Sequence, residues 1–305
     1  MKNLNSVKPF LKWAGGKTQI LEQIEHFLPH ELSQGLIQRY IEPFVGGGAV
    51  FLAIAKRYPV DEFFISDINS ELILAYKTIQ QDVETLIDYL WSIQDEYIVL
   101  DEEQRKQYFY QVRSDFNLSR KQINFETYNS RWIHRTAQLI FLNRTCFNGL
   151  FRVNSKGEFN VPVGKYKNPK ICDADNLRVL SKILQKTHIF QGDFTQCEMF
   201  VDDHSLVYFD PPYRPISKTA KFNSYSKNIF DDKEQLRLRN FFNLLNKERA
   251  KLILSNSDPK NENQTDNFFE YAYADYRIQK IRAARNINSK GNKRGKINEL
   301  LIVNY

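Results

Sequence analysis

The sequence predicts an α/β fold, in which helices cover a mostly parallel sheet and a largely helical module is inserted. Three observations predict this fold. Short apolar runs alternate with helical patterns in two separate parts of the chain. A glycine cluster at 46–48 follows an early apolar run and precedes a helical stretch. Residues 70–171, between the two parts, begin with a portion rich in helical patterns and charge.

The first part of the predicted sheet starts with an apolar run at 40–44. The glycine cluster follows this run and Ala49–Arg57 has a helical pattern, so the segment is typical of a strand, a turn and a helix. A second run at 63–66 ends at Asp67, and residues 70–80 then have the pattern of a capped helix.

The second part supplies further strands, predicted at 188–191, Ser205–Phe209, 250–254 and 300–303. Before them, residues 147–169 are dense in Asn, Gly, Pro, Lys and aromatic residues with no steady period, which predicts ordered loops or a hairpin. We therefore predict one discontinuous domain over 1–69 and 172–305, and an inserted domain over 70–171.

Composition sets limits on the class of protein. The chain has 305 residues, of which 42% are hydrophobic, so it can bury a full core. No apolar run is long enough to span a bilayer, and residues 1–12 lack the pattern of a secretory signal, so we expect a cytoplasmic location. The three cysteines show no CxxC spacing, which favours reduced thiols near a core over a metal site.

The net charge of +7 is unevenly distributed. Residues 131–170 hold eight Lys or Arg against one acid, Glu158, and residues 277–296 hold eight more with no acid. Each run could be only a solvated face. Two basic stretches without acids fit a polyanion footprint better, because contacts to phosphates release condensed counterions. Nucleic acid is therefore the first partner to consider.

Residues 42–48 read EPFVGGG, and Asp67 comes twenty-one residues after Gly46. Glycines after a strand let the backbone approach a ligand, and a carboxylate at the end of the next strand can accept hydrogen bonds from ribose hydroxyls. A tight turn without a ligand is the alternative. The cofactor reading makes Phe44, Gly46, Gly48 and Asp67 candidate binding residues.

Two rival nucleotide sites fit less well. A dinucleotide site would need a third glycine after the cluster, where the sequence has Ala49 to Phe51. Residues 14–18 read AGGKT and end like a phosphate-binding loop, but Leu11 occupies the position of the first glycine. Trp13 and Lys17, in the same segment, offer an aromatic face and a cation to an amino-acid-bearing cofactor, although a tryptophan here could equally be core.

The motif DPPY, at 210–213, follows the predicted strand Ser205–Phe209. An adenine amino group is a poor nucleophile because its lone pair is delocalised, and acceptors for its N–H groups can localise that pair. The carboxylate of Asp210 and the carbonyl of Pro211 can accept these bonds. Pro212 fixes the turn and Tyr213 can stack on the base. A plain proline turn beside a buried tyrosine is the alternative.

Taken together, these motifs resemble the Dam-type DNA adenine methyltransferases of the D12 class and the matching methyltransferases of restriction systems. The likeness covers essentially the whole chain in the family's order. It includes FLKWAGGK at 10–17, EPFVGGG, SDINSELI at 66–73, FNGLFRVNSKGEFNVPVGKYKNP at 147–169, DPPY, and KINELL at 296–301.

The resemblance implies a Rossmann-like methyltransferase sheet with an inserted, mainly helical target-recognition domain. It also implies S-adenosylmethionine as cofactor and no metal. A Phe at 147, where some relatives have Tyr, leaves open any contact that a hydroxyl would make. The implied contacts to the cofactor are Trp13, Lys17, Asp67, Asp193, Phe194 and Asp210, and those to DNA are Lys12, Asn148, Leu150, Arg152, Pro162 and Tyr166.

By resemblance we expect a site-specific methyltransferase that acts on the N6 atom of adenine in duplex DNA, in the sequence GATC. A different adenine-containing site, an RNA or protein target, and a catalytically idle DNA-binding subunit are the alternatives. We expect no stable protein partner and no membrane, and a functional pairing with a restriction endonuclease stays open.

Overall fold

This computed structural model describes residues 7–214, 230–284 and 296–305. In chain order the elements are α1 (Leu21–Glu25), α2 (His30–Ser33), β1 (Arg39–Glu42), α3 (Ala49–Arg57), β2 (Glu62–Asp67), α4 (Ser70–Gln81), α5 (Val83–Ile98), α6 (Glu102–Ser119), α7 (Arg131–Thr145), α8 (Ala174–Leu184), β3 (Thr187–Gln191), β4 (Ser205–Phe209), α9 (Asp232–Lys247), β5 (Lys251–Ser257), α10 (Phe268–Ala272), β6 (Arg277–Ala284) and β7 (Lys296–Val303).

So far as its residues are described, the chain divides into two compact units. The first comprises Met1–Gly16, Gly46–Gly48 and Asp67–Gln191, and the second comprises Lys17–Val45, Ala49–Ser66 and Gly192–Tyr305. The division predicted from the sequence has other bounds, with one domain over 1–69 and 172–305 and the other over 70–171. Which of these parts binds which ligand stays a prediction.

The six strands of the second unit lie in the order β2, β1, β4, β5, β7, β6. The first four run parallel, and β7 pairs antiparallel with both β5 and β6. Carboxyl ends of parallel strands meet at one edge of a sheet, which is where ligands bind in open α/β folds. Since β7 runs the other way, the start of β7 lies at that same edge. The predicted α/β class is confirmed.

Burial explains why β4 forms in the middle of the parallel strands. All five of its residues, SLVYF, are buried, as expected for a strand covered on both faces. Val207 and Phe209 of β4 pack in one hydrophobic cluster with Leu254 of β5 and Phe242 of α9. A strand anchored this firmly gives the residue that follows it, Asp210, a fixed place at the sheet edge.

The first unit contains α4 to α8 and β3. Asn69 caps α4 by accepting hydrogen bonds from the backbone of Glu71 and Leu72. Arg135 of α7 forms a bidentate ion pair with Glu71 of α4, at 2.8 and 2.6 Å, where both residues are buried. The helical character predicted for the start of this stretch is therefore observed.

Two features of the strands differ from the sequence prediction. Strand β6 was not predicted, because Arg277 to Arg282 mixes charged and apolar residues without a period of two. Several strand ends also shift, and β7 begins at Lys296 rather than at 300. Pairing with neighbouring strands determines these ends, which local patterns do not encode. No helix within the described ranges is both long and apolar enough to cross a membrane.

Candidate functional site

Asp210 directly follows β4 and is paired with a buried lysine. Lys17 Nζ lies 2.7 Å from Asp210 Oδ1, and only 4% of the lysine side chain is exposed. Burial raises the pKa of Asp210 to about 6, while the neighbouring Lys17 ammonium opposes that rise. At neutral pH the carboxyl is mainly ionised, so it can only accept hydrogen bonds.

Tyr213, the last residue of the motif, is oriented by two charged groups. Its hydroxyl donates a hydrogen bond to Glu299 Oε2 over 2.6 Å, and Lys17 Nζ lies 4.7 Å from the centre of its ring. Burial and the nearby carboxylates of Asp210 and Glu299 raise the pKa of Tyr213, so its hydroxyl stays protonated. Sequence reasoning did not single out Glu299, although it lies within the motif KINELL.

A second carboxyl lies at the end of β1 and carries a raised pKa. Glu42 is 2% exposed and accepts a hydrogen bond from the Tyr40 hydroxyl over 2.5 Å. Burial raises the pKa of Glu42 to about 8, and the charge of Asp210 adds to the rise. Glu42 is therefore mainly neutral at pH 7, whereas Asp210 is mainly ionised.

The predicted cofactor residues of the second unit include an aromatic cluster. The rings of Phe44 and Phe194 are 5.4 Å apart, and Phe230 lies edge-on to Phe44 at 5.8 Å. Asp193 accepts two hydrogen bonds from Arg237, at 2.9 and 2.6 Å, and this guanidinium holds the pKa of Asp193 at about 2. Arg237 was missed from the sequence, since it lies on α9, far along the chain from Asp193.

The predicted cofactor residues of the first unit meet at the glycine turn. Gly46 has a φ of +47° and Gly48 a φ of +73°, which favours glycine at both positions. A Cβ at Gly46 would lie 2.9 Å from Trp13 Cδ1, so the indole packs directly on the turn. The Gly46 N–H donates to Asp67 Oδ2 over 3.1 Å, and the Asn69 N–H donates to Asp67 Oδ1 over 2.9 Å.

Asp67 is therefore not the cap of α4, since that role belongs to Asn69. Burial raises the pKa of Asp67, and the hydrogen bonds from backbone N–H groups oppose the rise. Trp13 is also stacked on Phe151, with ring centres 5.3 Å apart. The half-buried side chain of Trp13 therefore contacts both the glycine turn and Phe151.

The turn at 147–149 is held close to Lys12 by one buried amide. Asn143 Nδ2 donates to the carbonyl oxygens of Lys12 and Gly149, each over 2.9 Å, while its Oδ1 accepts from the Lys12 N–H over 2.8 Å. A Cβ at Gly149 would lie 2.3 Å from Lys12 Cδ. Asn148 has a φ of +57° and is exposed. Asn143 is a further residue that the sequence did not indicate.

Of the ordered loops or hairpin predicted for residues 147–169, the structure shows a hairpin, with antiparallel bridges between Val153 and Phe159 and between Cys146 and Val163. Arg152 is exposed, and its Nε donates to Asn160 Oδ1 across the hairpin over 2.7 Å. The half-buried Leu150, the exposed Pro162 and the half-buried Tyr166 lie in the same segment. Lys12 Nζ lies 5.1 Å from the Tyr166 ring centre.

The two basic runs differ in how much of them is described. The run at 131–170 is described throughout and belongs to the first unit. Within the second run, Arg277, Lys280 and Arg282 lie on β6, and residues 285–295, including Lys290, Lys293 and Arg294, lie outside the described residues.

Comparison with known proteins gives matches over nearly the whole chain. The family of D12 class N6 adenine-specific DNA methyltransferases matches residues 13–287. The type II methyltransferase M.MjaIII of Methanocaldococcus jannaschii is 52% identical, over 98% of this chain and 99% of that protein.

Two further relatives match over similar lengths. The type II methyltransferase M1.LlaDCHI of Lactococcus lactis subsp. cremoris is 37% identical, over 100% of this chain and 98% of that protein. The DNA adenine methylase of Escherichia coli K12 is 32% identical, over 96% of this chain and 94% of that protein.

Proposed function

The chain belongs to the D12 class of N6 adenine-specific DNA methyltransferases, and on that premise we propose that its methyl donor is S-adenosylmethionine and its target the adenine of GATC in duplex DNA. The names of two relatives as type II methyltransferases support a role beside a restriction endonuclease of the same specificity. A further relative is named a DNA adenine methylase. This name gives no recognition sequence, so the proposal of GATC rests on the family resemblance.

The chemistry proposed for the second unit centres on Asp210. An ionised Asp210 accepts one N–H of the adenine amino group and the Pro211 carbonyl accepts the other, so the nitrogen lone pair becomes available for attack. Pro212 keeps the turn rigid. Tyr213 stacks on the base, and its hydrogen bond to Glu299 keeps the ring from rotating out of place. The amino group is inaccessible in a paired duplex, so the base has to leave the stack first.

The cofactor supplies an activated methyl group on a sulfonium ion. The residues of each unit fit such a ligand on structural grounds. In the first unit, Gly46 lies so close to the Trp13 indole that a Cβ there would clash with it, and Asp67 offers carboxylate oxygens beside this turn. We propose that Trp13, Gly46, Gly48 and Asp67 contact the cofactor, with Asp67 accepting from ribose hydroxyls.

In the second unit, the aromatic cluster suits an adenine ring, and Asp193 is held as an acceptor by Arg237. We propose that Phe44, Asp193 and Phe194 contact the adenine of the cofactor and that Lys17 contacts its carboxylate. Lys17 already has Asp210 as a partner, so a cofactor carboxylate would share this ammonium, which has three N–H donors.

Apart from Lys12, the proposed DNA contacts of the first unit lie in the segment that follows α7. The exposed guanidinium of Arg152 is suited to guanine, whose O6 and N7 atoms accept two parallel N–H bonds. Leu150 is proposed to wedge between base pairs and ease extrusion of the adenine. Four further residues complete the proposed DNA-binding set, which are Lys12, Asn148, Pro162 and Tyr166.

The observation that carries the proposal is the placement of Asp210, within DPPY, at the carboxyl end of β4 and 2.7 Å from the Lys17 ammonium. The test is the transfer of tritiated methyl from S-adenosylmethionine to duplex DNA, RNA and protein in parallel. We expect label in duplex DNA that contains GATC, recovered as N6-methyladenine, and little in duplexes with one base of the site replaced. Label in RNA or protein alone, or equal label in all duplexes, would contradict the proposal.

A further inference from the structure

Two fully buried side-chain amides support the turn that carries Asp210. Asn256 lies in β5 and is 0% exposed, and Gln235 lies near the start of α9 and is 1% exposed. Neither residue was indicated by the sequence motifs. Amides buried this deeply have to satisfy their N–H and C=O groups within the protein.

The direction of each hydrogen bond is set by the backbone groups at one end. The N–H groups of Arg214 and Ser257 donate to Asn256 Oδ1 over 3.2 and 2.9 Å. Since these groups can only donate, the oxygen of Asn256 has to face them and its Nδ2 faces Gln235. Asn256 Nδ2 donates to Gln235 Oε1 over 3.1 Å, and Gln235 Nε2 donates to the Pro212 carbonyl over 3.2 Å.

Together, the hydrogen bonds of Asn256 and Gln235 hold the two peptide groups that flank Tyr213. One end binds the Pro212 carbonyl before it, and the other binds the Arg214 N–H after it. The Pro212 oxygen is occupied by Gln235, whereas no described residue donates to the Pro211 oxygen. The proposed function assigns the Pro211 carbonyl to the adenine amino group, and Gln235 binds the neighbouring Pro212 carbonyl instead.

We propose that Gln235 and Asn256 act as a positioning relay, which keeps the Pro211 carbonyl and the Tyr213 ring in the geometry needed for methyl transfer. The proposal rests on the proposed function. Neither side chain has to touch the base or the methyl donor, because both act through the backbone of the turn. Misplacement of reacting groups by about 1 Å can lower a rate by about 100-fold, so a relay of this kind has a measurable effect.

The first test is Gln235→Met, which keeps the length of the side chain and removes both hydrogen bonds. We expect the single-turnover rate of methyl transfer to fall by about tenfold or more, with affinities for S-adenosylmethionine and duplex DNA close to those of the wild type. A wild-type rate in a folded variant, or a loss confined to affinity, would overturn the relay.

The second test uses Gln235→Glu, which has the same shape and covers the case in which Gln235→Met does not fold. A carboxylate can accept from Asn256 Nδ2 but cannot donate to the Pro212 carbonyl, whereas a protonated carboxyl can. We expect the ratio of the variant rate to the wild-type rate to increase as pH falls. The measurements should extend to about pH 9, because burial raises the pKa of a carboxyl at such a site, as it does for Glu42. A ratio that stays constant after the introduced carboxyl has ionised would mean that the hydrogen bond to Pro212 has no part in positioning.

A matched control lies at the other end of β5. Asn304 accepts from the Leu252 N–H and donates to the Ala250 carbonyl, each over 2.8 Å, so it anchors the same strand away from the turn. The double variant that carries Asn256→Ala and Gln235→Met should transfer methyl no more slowly than the slower of the two single variants, because each substitution breaks the same relay. Asn304→Ala should leave the rate nearly unchanged, and its small effect should multiply with that of Gln235→Met.

The outcomes separate the relay from the proposed function. The relay would be overturned if the rate losses of Asn256→Ala and Gln235→Met multiply in the double variant, as those of Asn304→Ala and Gln235→Met are expected to do. In that case the wild type would still methylate DNA, and the proposed function would stand. Absence of methyl transfer to DNA by the wild-type protein would instead overturn the proposed function.

Discussion

The Lys17 ammonium lies 2.7 Å from Asp210 Oδ1, and the two groups form an ion pair at the carboxyl edge of the sheet. The carboxylate proposed to hold the adenine amino group thus has a counter-charge within the protein. Burial alone would favour the neutral acid, and Lys17 limits that effect, so the pKa of Asp210 is about 6 and not higher. This pair determines the pH range in which Asp210 can act as an acceptor.

The first prediction concerns the pH dependence of methyl transfer. The pKa of Asp210 is raised to about 6, so below that pH the group gains a proton and loses acceptor capacity. The single-turnover rate should therefore fall as pH decreases through about 6 and reach a plateau above it. Asp210→Ala should abolish transfer at every pH while duplex binding persists. A rate that does not change between about pH 5 and 8 would contradict the role of Asp210 as an acceptor. Near wild-type turnover by the Asp210→Ala variant would contradict it as well.

The second prediction concerns Lys17. Removing the ammonium by Lys17→Met leaves burial unopposed, so the pKa of Asp210 rises and the midpoint of the rate profile moves to higher pH. Lys17→Arg is the control, since it keeps a positive charge and should move the midpoint much less. A profile with an unchanged midpoint but weaker binding of S-adenosylmethionine would assign Lys17 to the cofactor alone.

The third prediction separates cofactor binding from helix capping. Asp67→Ala should weaken S-adenosylmethionine binding by about tenfold to a hundredfold, because loss of the half-buried acceptor would leave ribose hydroxyls unpaired at a cost of roughly 1–3 kcal/mol. Asn69→Ala is the matched control. It removes the cap of α4 and should cost about 1 kcal/mol of stability with little change in cofactor affinity. Equal cofactor affinities of both variants in calorimetry would show that Asp67 has only a structural role.

The fourth prediction concerns the base read by Arg152. Its Nε and Nη2 donate to the side-chain and backbone oxygens of Asn160, over 2.7 and 3.4 Å, and the remaining N–H groups of Nη1 and Nη2 can form a fork toward a base. Arg152→Ala should reduce the preference for GATC over a site with its guanine replaced, by about 1–3 kcal/mol of discrimination. Asn160→Ala should reduce it less.

The control for Arg152 is Lys156→Ala, at the exposed tip of the same hairpin. A residue that contacts only phosphates slows cognate and altered sites by the same factor and keeps their ratio. If Arg152→Ala also keeps that ratio in single-turnover assays on the two duplexes, Arg152 is a phosphate contact.

Local patterns in the sequence predicted the fold class and several elements closely. Ala49–Arg57 and Ser205–Phe209 were predicted with the ends that the structure shows. The glycine turn needs positive φ angles at Gly46 and Gly48, and this requirement is visible in the residue types. Strand β6 was missed, since its charged residues give no alternation and its pairing with β7 determines it.

By itself, the sequence determined the family of this protein, the α/β class and the motif DPPY after a buried strand, because each depends on neighbouring residues. Only the tertiary structure decided which distant residues support that motif. The antiparallel β7 lies between β5 and β6 and brings Glu299 to the Tyr213 hydroxyl. The packing of α9 beside β5 likewise joins Gln235 to Asn256. Such contacts arise from the order of strands in the sheet, which no local pattern of residues records.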